Sequence, residues 1–273
     1  MTELPVTPGA KLAILLDYDG TLAPIVDRPE KAVPFPGIPA ILRRLVRCRR
    51  YRVAVISGRP VAQLRAWVPE GPVLVGVHGA EWLFPGTGLE RLQLPGSLQK
   101  TLDGFYRRLQ EIVPQNRGFI IECKEVAVAL HYRLAAKDDT VSVLARAKRL
   151  IETFLPPVDW AVVEGHKVIE VRPRHASKGK AVQRLCERWP SYTPLYVGDD
   201  TTDEDAFEAV NTAGGISILV AAQPRRTAAR YRLTGPAAGG GFFAGMGIPP
   251  EGKGGAWGKK TGERRVGKKW RTR

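Results

Sequence analysis

Cysteine, aromatic side chains and long apolar runs are all scarce in this 273-residue chain. Its three cysteines, Cys48, Cys123 and Cys186, are an odd number with no close pair. That argues against a disulfide framework or a cysteine-based zinc site and fits a reducing compartment. The longest aliphatic run near the N-terminus, Leu12 to Leu16, is far short of the roughly 20 residues a membrane helix needs, and no basic, apolar, small-residue series precedes it. A cytoplasmic protein without membrane contact is therefore expected. Composition, at 44% hydrophobic and 25% charged, excludes a fibre and a simple disordered chain.

Acidic residues are also short: 27 Asp and Glu face 42 Lys and Arg, a net charge of +15. Such an excess invites a nucleic-acid reading until the charge is located. Residues 235–273 hold 9 Lys or Arg against 2 acids, which is +7 and leaves +8 for residues 1–234. The same segment holds 12 of the 29 glycines. It has no apolar periodicity able to offset ordering entropy, and a Gly/Lys/Arg-rich disordered tail is expected.

What remains alternates strand and helix. Short apolar runs at Leu12 to Leu16, Val53 to Ile56, Val73 to Val77, Leu195 to Val197 and Ile216 to Val220 suit strands of a parallel sheet buried on both faces. Helical spacing follows Gly37 (Ile38, Leu42, Leu45), Pro60 (Val61, Leu64, Val68) and Gly179 (Ala181, Val182, Leu185). The middle differs. A helix on Leu98, Leu102, Phe105 and Leu109 precedes Phe119 to Cys123 and the alternating Val126, Val128, Leu130, Tyr132, expected as an antiparallel strand with one polar face. A helix on Val141, Leu144, Ile151 and Phe154 leads to two strands turning at Gly165 and His166. The expected fold is α/β: a doubly wound, mostly parallel, Rossmann-type sheet core over residues 1–96 and 174–234, with an inserted α+β cap domain over residues 97–173.

Four places in this frame carry chemistry. The first strand runs into Asp17-Tyr18-Asp19-Gly20-Thr21, which sets two carboxylates at a strand's carboxyl end, where open α/β sheets bind ligands. Ser57-Gly58-Arg59 precedes Pro60 at a helix start and offers hydroxyl and N–H groups to an anion. Ser177-Lys178-Gly179 puts a cation at another helix start. Gly198-Asp199-Asp200 opens an acidic cluster running through Asp203 to Asp205, whose carboxylates repel one another unless a divalent ion neutralises them; oxygen-only ligation points to Mg²⁺. Taken singly, each has an ordinary explanation: an acidic turn, a serine cap, a solvated lysine, acids favoured at a helix N-terminus. Taken in this order at strand ends and helix starts, they point to one site.

These residues resemble the haloacid-dehalogenase-like (HAD) phosphatases, whose four signatures match Asp17-x-Asp19-Gly-Thr, Ser57, Lys178 and Gly198-Asp199-Asp200. The stretches Gly76 to Glu81, Glu122 to Arg133, Gly165 to Pro173 and Gly198 to Phe207 extend the resemblance to the trehalose-6-phosphate phosphatase family within that superfamily, over about residues 10–234. The resemblance implies that Asp17 is a nucleophile forming an aspartyl-phosphate, that Asp19 is the general acid and base, and that Ser57 and Lys178 hold phosphoryl oxygens. It implies Mg²⁺ bound by Asp17, the Asp19 carbonyl and Asp199, with Asp200 or Asp203 nearby. It further implies sugar contacts among Arg59, His78, Glu81, Glu122, Lys124, Arg133, Lys167 and Glu170, whereas His131 suits a satisfied sheet histidine better.

The implied partner is a small-molecule sugar phosphate handled by a monomer, with no specific nucleic acid. Another phosphorylated sugar or glycoside, a nucleic-acid function of the tail and a silent sugar-phosphate sensor are the alternatives. One region departs from the family: beyond Leu233, Gly and Lys stand where a short apolar helix usually follows, as a change of reading frame near Pro236 would produce.

Overall fold

A computed structural model describes residues 9–26, 31–165 and 167–235 of the chain. The tail expected to be disordered lies almost wholly outside them, as does His166 at the expected turn. The chain opens with β1 (Leu12–Leu16), α1 (Ile38–Arg47), β2 (Tyr51–Ile56) and a single helical turn, α2 (Val61–Leu64). β3 (Val73–Gly76) leads through a 3-10 turn over Val77–Gly79 into β4 (Glu81–Leu83) and β5 (Leu89–Arg91). The next elements are α3 (Gly96–Ile112), β6 (Ile120–Cys123), β7 (Val128–His131), α4 (Lys137–Phe154), β8 (Trp160–Gly165) and β9 (Val168–Pro173). The chain closes with α5 (Lys178–Arg188), β10 (Thr193–Gly198), a 3-10 turn over Thr201–Asp203, α6 (Glu204–Thr212), β11 (Ile216–Val220) and β12 (Tyr231–Leu233).

Eight strands form one sheet in the order β12-β11-β10-β1-β2-β3-β4-β5, parallel throughout except where β4 and β5 run antiparallel at one edge. Every residue of β1 is buried, which a central strand covered on both sides requires. Leu12, Ile14 and Leu16 face the layer made by α1 and α2, with Leu42, Leu45 and Leu64. Ala13 and Leu15 face the opposite layer of α5 and α6, with Val182, Leu185 and Phe207. The doubly wound core is thus written in the alternation along one five-residue strand.

The inserted segment builds a second, antiparallel sheet in the order β6-β7-β9-β8, with α3 and α4 packed on one face around Leu102, Phe105, Leu109, Val143 and Ile151. Two expectations fail here. The second face of the alternating stretch is not polar: Ala127 and Ala129 are fully buried, and Val126 and Ala127 pack with Val77, Ala80 and Ala176 of the first unit. Small residues let the core come close, so alternation of size replaces alternation of polarity. Val141 lies outward on α4, while Val143 and Ala147 supply the buried stripe beside Ile151. In the core, α2 ends before Val68 because its backbone bonds tighten from i−4 to i−3 spacing over Ala66 and Trp67, just ahead of Pro69.

Register positions the functional end. Parallel pairing aligns Leu16 with both Val197 of β10 and Val55 of β2, so the strands finish level. The Asp17 N–H donates to the Val197 carbonyl at 2.9 Å, which carries the level edge one residue further.

Candidate active site

Three buried or half-buried carboxylates meet at that edge. Ligand oxygens of Asp17, Asp199 and Asp203 lie within 4.8 Å of one another. Lys178, 3% exposed at the start of α5, places its ammonium 2.6 Å from Asp17 Oδ1 and 2.7 Å from Asp203 Oδ1. The close approach depends on Gly20: its φ of 77° is glycine territory, and a Cβ there would sit 1.9 Å from the Asp199 carboxylate. The glycine of the first signature therefore admits the aspartate of the fourth.

Asp203 is the anchor of the group. Its Oδ1 accepts from Lys178 and from the Tyr196 hydroxyl at 2.6 Å, and its Oδ2 accepts from the N–H groups of Asp199 and Asp200 at 2.9 and 3.0 Å. Burial would raise this carboxyl, but Lys178 and the other donors outweigh it and hold it below the ordinary aspartate range. Asp17 behaves oppositely. Burial raises it well above that range, and Asp203 and Asp199 add to the rise against the pull of Lys178. Asp199 is pushed up to about 8, first by burial and then by Asp203. Burial works against the Lys178 ammonium, yet Asp17 and Asp203 raise it far above its usual value, so it stays charged.

Two carboxylates with raised pKa values facing each other form a site short of positive charge. Their hard oxygen donors fit a divalent cation. Asp17 and Asp199 are the available ligands, since both oxygens of Asp203 are already engaged. Asp200 is not brought into the cluster: its carboxylate accepts from the Thr201 N–H at 2.7 Å and caps the Thr201–Asp203 turn. Of the two acids expected near the ion, Asp203 is the one in the cluster.

Around this group stand the remaining candidates. Asp19 is held by Arg59 through two parallel bonds of 2.7 Å, Nε to Oδ2 and Nη2 to Oδ1, and Arg59 also stacks over the Tyr18 ring. Ser57 is 1% exposed, and its hydroxyl accepts from the Arg59 N–H at 3.2 Å. His78 occupies left-handed backbone (φ 55°) directly after Val77 (φ 46°), two strained residues in succession. That bend sets its ring against Gly58 and brings Nε2 within 3.2 Å of Glu170 Oε1 on β9. Lys124 donates to Glu170 at 2.6 Å and to the Gly58 carbonyl at 3.1 Å, while Arg133 donates to the Val26 carbonyl. Residues of the inserted unit thus close over the loops following β1 and β2.

Electrostatics tune this junction. Burial alone would raise Glu170, but Lys124 and His78 hold it far below the usual glutamate range. His78 is lowered by burial, with Glu170 opposing, and its Nδ1 has no hydrogen-bond partner. Glu122 accepts from His131 Nε2 across 3.0 Å and lies 3.8 Å from Lys124; these partners overcome burial and lower its pKa. His131 is thereby satisfied within its own sheet.

Two expected substrate contacts have other partners in this structure. Glu81 spends one oxygen on the Val61 N–H at 2.7 Å and turns the other to Arg91, bracing α2 against the sheet edge. Lys167, exposed in the β8–β9 turn, rests over the Tyr132 ring. Two residues of the neighbourhood are not among the expected site residues: Tyr196 reads as part of an apolar strand, and Arg172 lies in the Gly165–Pro173 stretch without an assigned role. Arg172 is in fact 6% exposed with Nε and one Nη unpartnered, and its guanidinium is lowered by burial.

Comparison with known proteins converges on one family. Residues 15–237 match the family model described as trehalose-phosphatase. A trehalose-6-phosphate phosphatase of Escherichia coli is 33% identical over 238 residues, covering 86% of each chain. A Mycobacterium tuberculosis protein named as an uncharacterized glycosyl hydrolase is 37% identical over 240 residues, 84% of this chain but 18% of that protein, so the present chain spans less than a fifth of that relative. Among solved structures, the C-terminal domain of a Candida albicans trehalose-6-phosphate phosphatase superposes with a TM-score of 0.75 at 28% identity, covering 88% of this chain and 93% of the other.

Proposed function

The chain belongs to the trehalose-phosphatase family, and on that footing we propose that it hydrolyses trehalose 6-phosphate to trehalose and inorganic phosphate with Mg²⁺ as cofactor. The observation that carries the reading is the meeting of Asp17, Asp199 and Asp203 around Lys178 at the carboxyl edge of the sheet.

Phosphoryl transfer asks little covalent chemistry of a protein and much positioning and charge neutralisation. Asp17 attacks phosphorus, a P–O bond to its carboxylate forms, and the bond to the sugar oxygen breaks. Asp19 gives that oxygen its proton, then takes one from the water that releases phosphate from Asp17. Asp17, Asp199 and the Asp19 carbonyl would hold Mg²⁺, which would neutralise phosphoryl charge when bound. Lys178 keeps one Asp17 oxygen fixed, which leaves the other to react. Ser57 and the N–H groups after β2 receive phosphoryl oxygens.

Arg59 adds a condition. With both Asp19 oxygens held by the guanidinium, proton transfer requires Arg59 to yield at least one of them. A substrate anion competing for Arg59 frees Asp19 as it arrives. Glu122, Lys124, Glu170 and His78, ionised or polar and gathered where the inserted cap meets the core, suit the hydroxyls of a sugar. The cap is read as residues 97–173, and the working enzyme as a monomer.

Phosphate release from trehalose 6-phosphate and a panel of other sugar phosphates, with and without Mg²⁺, tests the assignment. Preferential Mg²⁺-dependent turnover of trehalose 6-phosphate is expected. Equal or faster release from another glycoside phosphate overturns the named substrate while leaving the chemistry intact.

A further inference from the structure

The sheet has a second cavity at the opposite pole. While the carboxylates gather at the carboxyl ends of the strands, a cleft of about 290 Å³ opens at their amino ends, beside the first residues of β2 and β3. Its wall includes Tyr51, Phe84 and Trp189, and two arginines, Arg52 and Arg188, stand in it. No Asp or Glu is among the lining residues.

Some surface guanidinium groups meet carboxylates, among them Arg184 with Glu90, Arg225 with Glu204 and Arg117 with Asp139. Among the described residues Arg52 and Arg188 have no such partner. They lie instead on aromatic faces, Arg188 at 4.3 Å from the Phe84 centroid and Arg52 at 4.8 Å from that of Tyr192. A guanidinium parked on a ring is held by cation–π attraction while its N–H edge stays available for a planar or tetrahedral anion. Arg52 commits one N–H to the Tyr51 carbonyl at 3.3 Å, which fixes it further.

The neighbouring segment is basic: residues 31–69, which supply α1 and β2, contain nine Lys or Arg, against Glu70 and Glu187 beside the lining residues Gly71 and Arg188. A cleft beside such a segment lies in positive potential, which draws anions toward it. The volume lies at the small end of the range for small-molecule sites, and aromatic walls with a few placed polar groups are the composition such sites have.

We propose that this cleft is a second ligand site, distinct from the phosphatase centre, which takes a planar organic anion: an aromatic or heteroaromatic ring along the wall that Trp189 and the edge of Tyr51 form, with its phosphate or carboxylate on Arg52 and Arg188. Adenosine monophosphate serves as the probe. Calorimetric titration of the full chain with it should give one saturable site, with adenosine and inorganic phosphate each binding at least about tenfold more weakly. Raising salt weakens the interaction, as expected for a charge-led contact. The R52Q/R188Q variant should lose at least about tenfold in affinity at unchanged melting temperature and unchanged phosphate release from trehalose 6-phosphate. If that variant melts lower, Arg188→Gln alone, at an exposed position, should still weaken binding about threefold or more. Absence of saturable binding, equal affinity for adenosine or for phosphate, or affinity retained in the arginine variants would overturn the proposal.

Discussion

Lys178 is the residue on which the site's charge balance turns. It is almost fully buried and faces two carboxylates. Taking its ammonium away leaves Asp17 and Asp203 uncompensated, a change that costs about 3 kcal/mol or more when a buried ionic group loses its partner. Lys178→Met should therefore lower the urea-unfolding free energy by that order as well as stop turnover; a loss under about 1 kcal/mol would contradict the geometry. Asp199 makes a different prediction. Its carboxyl holds a proton up to about pH 8, so a cation must displace that proton, and the Mg²⁺ concentration for half-maximal activity should fall as pH rises toward 8. Asp199→Ala should raise that concentration by about tenfold or more, and an unchanged metal titration would remove Asp199 as a ligand. At this scale the sequence shows the four signatures plainly, because each sits at a strand end or helix start. It does not distinguish Asp200 from Asp203. Both are acids in one turn, and only the 3-10 geometry decides which carboxylate turns inward.

Between elements, the junction of β9 with the loops after β2 and β3 is a buried charged contact. Glu170 is paired there with Lys124 at 2.6 Å and faces His78 Nε2 at 3.2 Å. Its folded pKa is depressed, so the stability it contributes is complete above the ordinary glutamate value and is lost as pH falls through the folded value. His78 has the same sign: buried neutral with a lowered pKa, it favours the fold above the ordinary histidine value and opposes it as acid protonates the unfolded chain. The melting temperature should thus begin to fall below about pH 6.5 and fall further below about 4.5. Glu170→Gln should flatten the lower limb, and an unaltered slope in that variant would contradict the pairing. Elements carried by periodicity over ten or more residues, such as α1, α3, α4 and α5, are legible in the sequence. The three-residue strands β4, β5 and β12 are not, since each is shorter than any repeat that could mark it. The inner face of β7 was hidden for another reason: alanines at 127 and 129 carry no hydrophobic signal, although burial under the core is what they permit.

For the whole molecule, the described residues contain every group assigned to the reaction, and the basic segment beyond Gly235 contains none. Removing residues 236–273 should leave phosphate release within about twofold of the full chain, a change of under about 0.5 kcal/mol in the barrier. A larger loss would give the segment a part in the enzyme. The doubly wound core and the inserted α+β unit follow from the order of patterns along the chain, whereas the docking of one on the other does not. It depends on Lys124, Arg133 and Glu170 reaching carbonyls and a histidine of the other unit, contacts that no periodicity encodes. The central claim is that Asp17 takes the phosphoryl group while Asp19 handles protons. Quenching the enzyme with borohydride during turnover of trehalose 6-phosphate and mapping the chain by mass spectrometry tests it directly, because the reagent reduces an aspartyl-phosphate to homoserine. Homoserine at position 17 and nowhere else is the expected result. Phosphate release without any modified aspartate, or with the mark at position 19, would contradict the account.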